Sequence, residues 1–329
     1  MKISAENGIV LEKLLCIDPS NSREAGKNVF ITHAHSDHAR INGHNNYFMS
    51  KETHSLLKTR KINSSRIKEL EQKKKEALDN AKISLHHSGH ILGSSQVMIE
   101  AEKNYVVTSD FKLQDSLLFK GAEILPSDVL IIESTFGLPE YVFPEREAVY
   151  REITRWTKER IHKKNFVVLG GYSIGKAQEL TRIVNEFLGE VPLVHETVFN
   201  SNKVYEENGV KLGPYLKLDH NLKESNVLIM PPQLISRDLV HALSISIGRK
   251  AEAAIATGWN YSFNGFKSFP LSDHSDFNQL MQYVKESNPK NVFTVHGFAE
   301  EFAHSVKRKL GINARPLSES AQCTLGEFD

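Results

Sequence analysis

His33-Ala34-His35-Ser36-Asp37-His38 packs three imidazoles and a carboxylate into six residues, directly after the apolar run from Asn28 to Thr32. Surface decoration does not concentrate these residue types on one turn. Neutral imidazoles and ionised carboxylates are instead the usual ligands for a borderline divalent metal such as zinc. On an extended segment, side chains two apart point the same way, so His33 and His35 share a direction while Asp37 and His38 turn toward a neighbouring position. The run therefore implies two adjacent metal positions.

Working outward, His90, Asp110, Glu133 and His296 also sit just beyond an apolar run or in the turn that follows it. The runs Asn28 to Thr32, Gln96 to Glu100, Tyr105 to Thr108, Asp128 to Ile132, Asn165 to Leu169 and Asn291 to Val295 read as buried strands. Helical spacing follows Gly175, through Ala177, Leu180, Ile183, Val184 and Phe187, and follows Asp276, through Phe277, Leu280, Met281 and Val284. This alternation predicts a layered α/β architecture whose strand ends gather the ligands at one edge. A carboxylate shared by two metals, with Asp110 the candidate, would hold them about 3.5 to 4 Å apart and trap a hydroxide between them as nucleophile.

The bulk numbers set the limits. A chain of 329 residues is long enough for one large domain carrying an insertion. The formal charge of +1 excludes a globally basic nucleic-acid coat, so phosphate binding must come from local clustering. Cys16 and Cys323 are the only cysteines and build neither a disulfide framework nor a C-x-x-C site, which fits the cytoplasm. No apolar signal core or bilayer-length run is present, so no membrane role is expected. Between Lys58 and Lys75, eight Lys or Arg stand against Glu69 and Glu71. A solvated face is the ordinary reading of such a run, and a strip for a phosphate backbone is the alternative. Of the histidines outside the motifs, His87 and His195 are the first to inspect, with packing or surface roles as the default.

Six separated motifs, HAHSDH, GHILGSSQ around His90, SDFK around Asp110, ESTFG around Glu133, SDHSDF around His274 and VHG around His296, together resemble the β-CASP nucleases, a subfamily of the metallo-β-lactamase fold acting on DNA or RNA. The resemblance implies an α/β, four-layer αβ/βα sandwich with an inserted β-CASP cap. The expected division is 1–137 for the first part of the metallo-β-lactamase domain, 138–254 for the cap and 255–329 for the completing part. It also implies two divalent ions, zinc or else manganese. His33, His35, His90 and Asp110 would hold one, and Asp37, His38, Asp110 and His296 the other. Asp18, in Ile17-Asp18-Pro19, would support the ligand loop, an Asp-Pro turn being the competing reading. Glu133 and His274 resemble a general-acid pair, which with Asp37 makes up the expected catalytic set.

Within the insertion, Gly170-Gly171-Tyr172-Ser173-Ile174-Gly175-Lys176 is a glycine turn before a helix start, and Tyr172, Ser173 and Lys176 are the expected phosphate contacts. Its YSIGK wording resembles the Artemis-like DNA-repair branch. The chain as a whole resembles short exonuclease-like proteins described as DNA-ligase-associated, which implies a DNA end-processing exonuclease, 5′ end favoured, beside ligase or helicase repair machinery. His296 points the other way, to the RNA-processing members that keep a histidine there.

Overall fold

The computed structural model describes residues 3–5, 7–11, 14–42, 44–62, 64–219, 222–259 and 265–317. They fall into two compact units: Met1–Gln114, Gly121–Val142 and His274–Asp329 in one, Asp115–Lys120 and Phe143–Asp273 in the other. Cys323 lies outside the described residues.

The first unit opens with strands β1 (Ile3–Ser4), β2 (Ile9–Leu11), β3 (Leu15–Ile17), β4 (Asn28–Phe30) and β5 (Asn46–Ser50). Helix α1 (Lys51–Thr59) follows, then β6 (Ile67–Leu70), β7 (Glu76–Leu78), β8 (Ala81–His87), β9 (Ser95–Glu100), β10 (Asn104–Val107) and β11 (Val129–Glu133). The second unit holds α2 (Arg146–His162), β12 (Phe166–Gly170), α3 (Lys176–Ile183), β13 (Leu193–Val194), α4 (Glu196–Glu207), β14 (Leu216–Lys217), β15 (Val227–Met230), α5 (Arg237–Ile247), β16 (Ala251–Ala256) and β17 (Lys267–Phe269). The chain then returns to the first unit through α6 (Phe277–Ser287), β18 (Asn291–Val295), α7 (Ala299–Leu310) and β19 (Asn313–Pro316).

In the first unit, one sheet runs β1-β2-β3-β4-β5-β6 and the other β19-β18-β11-β10-β9-β8-β7. Alternate residues of a strand face opposite sides, and both sides of the second sheet are used. Ile131, Val107, Val97 and Phe293 join Leu11, Ile17 and Phe30 of the first sheet in one cluster. Their neighbours Val106, Leu130, Ile132 and Val292 pack under Leu280 and Val284 of α6 and Phe302 and Val306 of α7. With α1 against β5 and β6, the layers run helix, sheet, sheet, helix. Burial on both faces is why these strands read as unbroken apolar runs.

The second unit has one sheet, β14-β13-β15-β12-β16-β17, parallel throughout. Val167, Leu169 and Ile229 face α2 and α3, while Val168, Leu228 and Met230 face Leu243 and Ile247 of α5. The return point expected at residue 254 falls inside β16, whose pairing with β12 and β17 carries this unit's sheet on to Phe269. The segment Asp115–Lys120 also joins this unit, ahead of the expected start at 138. Short detours of this kind leave no mark in hydrophobic pattern.

Candidate metal centre

Three neighbouring strands, β10, β11 and β18, run parallel, so their C-terminal ends lie at one edge of the sheet. Asp110 follows β10, Glu133 is the last residue of β11 and His296 follows β18. β8 is antiparallel to β9, itself antiparallel to β10, so His90 after β8 comes to the same edge. Two glycines allow the turns. A Cβ on Gly89 (φ +73) would lie 2.5 Å from the Lys112 carbonyl oxygen, which lets the His90 turn press against the Asp110 turn. Gly297 (φ +53) passes the backbone of Ser134 and Thr135, where a Cβ would sit 2.4 Å from Thr135 Cα.

The ligand atoms converge. Nε2 of His33 and Nε2 of His38 each lie 3.5 Å from Asp110 Oδ2, and Nε2 of His90 lies 3.7 Å from it. His35 Nδ1 and His90 Nε2 are 3.1 Å apart. His33, His35, His90 and Asp110 form one group whose ligand atoms all fall within 4.8 Å of one another. Tetrahedral zinc with bonds of about 2.0 to 2.1 Å sets its ligand atoms about 3.4 Å apart, which is the spacing found here. On the other side, His38 Nε2 is 3.8 Å from Asp37 Oδ2, and the His38 and His296 rings are 5.7 Å apart. Asp37, His38 and His296 line, with Asp18 and Ser109, a cavity of about 420 Å³.

Hydrogen bonding fixes which nitrogen carries the lone pair. Thr32 Oγ1 donates its single proton to Asp18 Oδ2, and Ser109 Oγ donates to Thr32 Oγ1 at 2.6 Å. A hydroxyl has one donor and two acceptor positions, so at 3.0 Å His33 Nδ1 must donate to Thr32 Oγ1. His33 Nε2 is left buried without a hydrogen-bond partner, its lone pair turned toward Asp110. A lone pair facing a carboxylate needs a cation between them, and the donor set fits a divalent metal. Burial, and then His38 beside it, hold the His33 imidazole well below its ordinary value, as a neutral ligand requires.

His38 is the contrast. Burial pulls its imidazole down, but the carboxylates of Asp110, Asp18 and Asp37 outweigh that and hold it up at about 10. Nδ1 of His38 donates to Asp18 Oδ2 at 2.8 Å, and Asp18 Oδ1 also accepts from Thr32 N. Burial would raise the Asp110 carboxyl, yet His38, His274 and His33 together drive it well below its ordinary value. Asp18, Ser109 and His296 have φ of 49°, 53° and 62°. Left-handed backbone in non-glycine residues carries strain, and such strain clusters at functional sites.

The Glu133 side chain, fully buried, accepts from Phe111 N at 3.2 Å and Thr135 N at 3.1 Å. Its Oε1 lies 3.0 Å from His274 Nδ1. The carboxylate thereby holds the imidazole with Nε2 as the ring nitrogen able to present a proton. The rings of His274 and His90 are 4.8 Å apart, which brings the pair to the cluster.

Other expected residues lie elsewhere. In the second unit, Tyr172 is exposed at the C-terminal end of β12 and Ser173 Oγ is 3.0 Å from Thr197 Oγ1. Lys176, expected to grip phosphate, is buried and gives its ammonium to Asp273 Oδ2 at 2.9 Å. His195 caps α4 by accepting from Thr197 N. In the basic stretch, Lys68, Lys73, Lys74 and Lys75 pair with Glu76, Glu123, Glu71 and Glu100, the solvated-face reading. One member escapes that reading: Arg60 Nη1 donates to the Ala34 carbonyl at 2.7 Å, inside the ligand loop. Neither Arg60 nor Thr32 carried a sequence signal, because a distant arginine and a strand-end threonine have ordinary surroundings in one dimension.

A two-sheet sandwich with this cluster at one strand edge is the metallo-β-lactamase fold. Comparison narrows the class: residues 265–315 match the Zn-dependent metallo-hydrolase RNA specificity domain. A probable DNA ligase of Opitutus terrae is 33% identical over 91% of this chain and 30% of its own length. An RNase J-like protein of Methanocaldococcus jannaschii is 25% identical over 68% of this chain and 65% of its own. The transcription termination factor FttA of the same organism is 26% identical over 69% and 47%. The chain thus spans less than two thirds of each of these relatives. A crystal structure of a protein of unknown function from Enterococcus faecalis V583 superposes with a TM-score of 0.63 at 14% identity, covering 96% of this chain and 86% of that one. Together with the fold, these matches make the chain similar to the β-CASP nucleases of the metallo-β-lactamase fold.

Proposed function

We propose that the protein is a metal-dependent phosphodiesterase acting as a nuclease, with two divalent ions, zinc or manganese, in the cluster around Asp110. The observation that carries this reading is the buried, proton-free His33 Nε2 facing Asp110. His33, His35, His90 and Asp110 would hold one ion, and Asp37, His38, Asp110 and His296 the other. Bound there, the ions would supply charge neutralisation on the phosphate oxygens and activation of the attacking water. His274 gives its Nε2 proton to the leaving oxygen, and Glu133 stabilises the imidazole as it carries that proton. Asp18 and Thr32 keep the imidazoles of His38 and His33 in the ligand tautomers.

DNA end processing is the substrate reading supported by the 33% identical relative named as a probable DNA ligase. On this reading the protein would work in the cytoplasm beside ligase or helicase repair machinery, with 5′ ends favoured. What supports Tyr172 and Ser173 as substrate contacts is that they follow β12 at its C-terminal end in a parallel sheet, the end at which such sheets commonly take ligands. RNA processing is the second reading, favoured by the RNA specificity match over 265–315 and by the RNase J-like relative.

Side-by-side cleavage of end-labelled DNA and RNA tests both readings, with His274→Ala as the control. That variant keeps its metal and cuts about a hundredfold or more slowly, the usual scale of a lost general acid. Metal-loaded wild type that leaves every single-stranded and duplex nucleic acid intact while hydrolysing thioesters or lactams would sink the nuclease reading.

A further inference from the structure

The helical spacing after Gly175 places Phe187 on the same apolar face as Ile183 and Val184. The structure departs from it: Val184–Leu188 is a π-helical turn, and Phe187 emerges 45% exposed although Val184 is fully buried. π-turns inside helices are rare and recur at functional sites. Here the turn sets Phe187 against Tyr150 of α2, ring centroids 6.2 Å apart and 28° from parallel. The two rings border a cleft of about 480 Å³ in the second unit, whose remaining wall is the α2 face carrying Arg151, Arg155 and Lys158.

Those three cations are exposed, and none has an ion-pair or hydrogen-bond partner among the described residues. Neighbouring carboxylates on α2 are already engaged, Glu152 by Lys267 and Glu159 by Arg160. Positions 151, 155 and 158 lie on one helix face, and at 1.5 Å rise per residue they step about 6 and 4.5 Å along it. Glu147 is the one acidic residue bordering the cleft.

We propose that this cleft binds a single strand of nucleic acid, its phosphates along Arg151, Arg155 and Lys158 and a base stacked on Phe187. A file of cations beside an exposed aromatic is how single strands are held without sequence preference. An acidic protein segment would use the cations, but only a nucleic acid carries beside every negative charge a planar base able to stack on Phe187. The proposal rests on the nuclease reading and extends it to a second gripping surface, in addition to Tyr172 and Ser173 of the glycine turn at residues 170–176.

The test is fluorescence anisotropy of a labelled oligonucleotide on the full chain, with chelator present so that nothing is cut, across a salt series. The triple variant Arg151→Gln, Arg155→Gln, Lys158→Gln should bind at least tenfold more weakly, with the slope of log affinity against log salt reduced by about 2, since each single-strand phosphate contact contributes about 0.7. Phe187→Ala should weaken binding several-fold and leave the slope unchanged, as a stacking contact does. An unchanged slope in a triple variant that melts like wild type would overturn the proposal. So would an acidic peptide binding the wild type with the same dependence on the three cations while oligonucleotides do not. Wild-type turnover of a small diester such as bis-nitrophenyl phosphate reports on the metal centre alone, so failure of the cleft and failure of the chemistry are separable.

Discussion

His33 and His38 occupy one buried cluster, share Asp110 as a neighbour and end in opposite protonation states. The difference lies in what holds Nδ1: for His33 a neutral threonine hydroxyl, for His38 the Asp18 carboxylate. With three carboxylates around it, metal-free His38 keeps its proton to about pH 10, and a metal must displace that proton to bind. The consequence for stability has a definite sign. A group raised in the folded state stabilises fully below its unfolded value, 6.5 for this imidazole, and loses that contribution as pH climbs toward about 10. His33, lowered by burial, acts in the opposite sense and only below about 6.5, while Cys16, pushed up by burial to about 12, acts only above its ordinary 9.0. Between about pH 7.5 and 9, chelated protein should therefore lose about 1.4 kcal/mol of unfolding free energy per pH unit, one proton's worth. His38→Asn should flatten that slope. Urea melts at both ends of the window check it, and equal wild-type stability at the two would contradict the protonation state assigned to His38.

At the scale of elements, the second unit carries a buried charge network that no run of sequence announces. Arg146 at the start of α2 binds Glu179 of α3 and the Ser272 carbonyl, and both Arg146 and Lys176 reach Asp273. These side chains are almost wholly buried, and removing one partner of such a set leaves an uncompensated charge in the interior. Lys176→Met should destabilise the protein by about 3 kcal/mol, reduced to the extent that Arg146, 3.4 Å from Asp273, takes over. Adding Asp273→Asn should recover part of the loss, because the two changes act on one pair. Chemical denaturation measures both, and a Lys176→Met protein within experimental error of wild type would show the pair to be ornamental. The lysine that reads as a phosphate grip in sequence is in the structure a core cation, since a Lys at a helix start looks the same whether its stem turns outward or inward.

For the whole molecule, what could be read in advance followed from burial. Strands covered on both faces must be apolar throughout, so β4, β9, β10, β11, β12 and β18 stood out, and the candidate ligands that follow β4, β10 and β18 stood out with them. β1, β2 and β3 span only two or three residues each, too short for any period to show, although they complete the sandwich, and Ile9 of β2 and Ile17 of β3 line the cavity beside His38. The Asp115–Lys120 detour and the pairing of β16 with β17 are set by contacts between remote segments, which a one-dimensional pattern does not encode. The π-turn was hidden for a related reason: inserting one extra residue per turn leaves composition and apolar spacing unchanged. Function is most exposed where backbone strain, buried lone pairs and charge meet in one place, and Asp110 is that place.

The central claim is that imidazoles and carboxylates from remote segments form one metal-holding centre around Asp110. Elemental analysis of purified wild type and Asp110→Ala tests it most directly, with circular dichroism to confirm that the variant is folded. The account predicts about two divalent ions per wild-type chain, as in other two-metal sites, and their loss with cleavage in the variant. A wild type that stays metal-free when offered zinc or manganese, or a folded variant that retains the full complement, would contradict it.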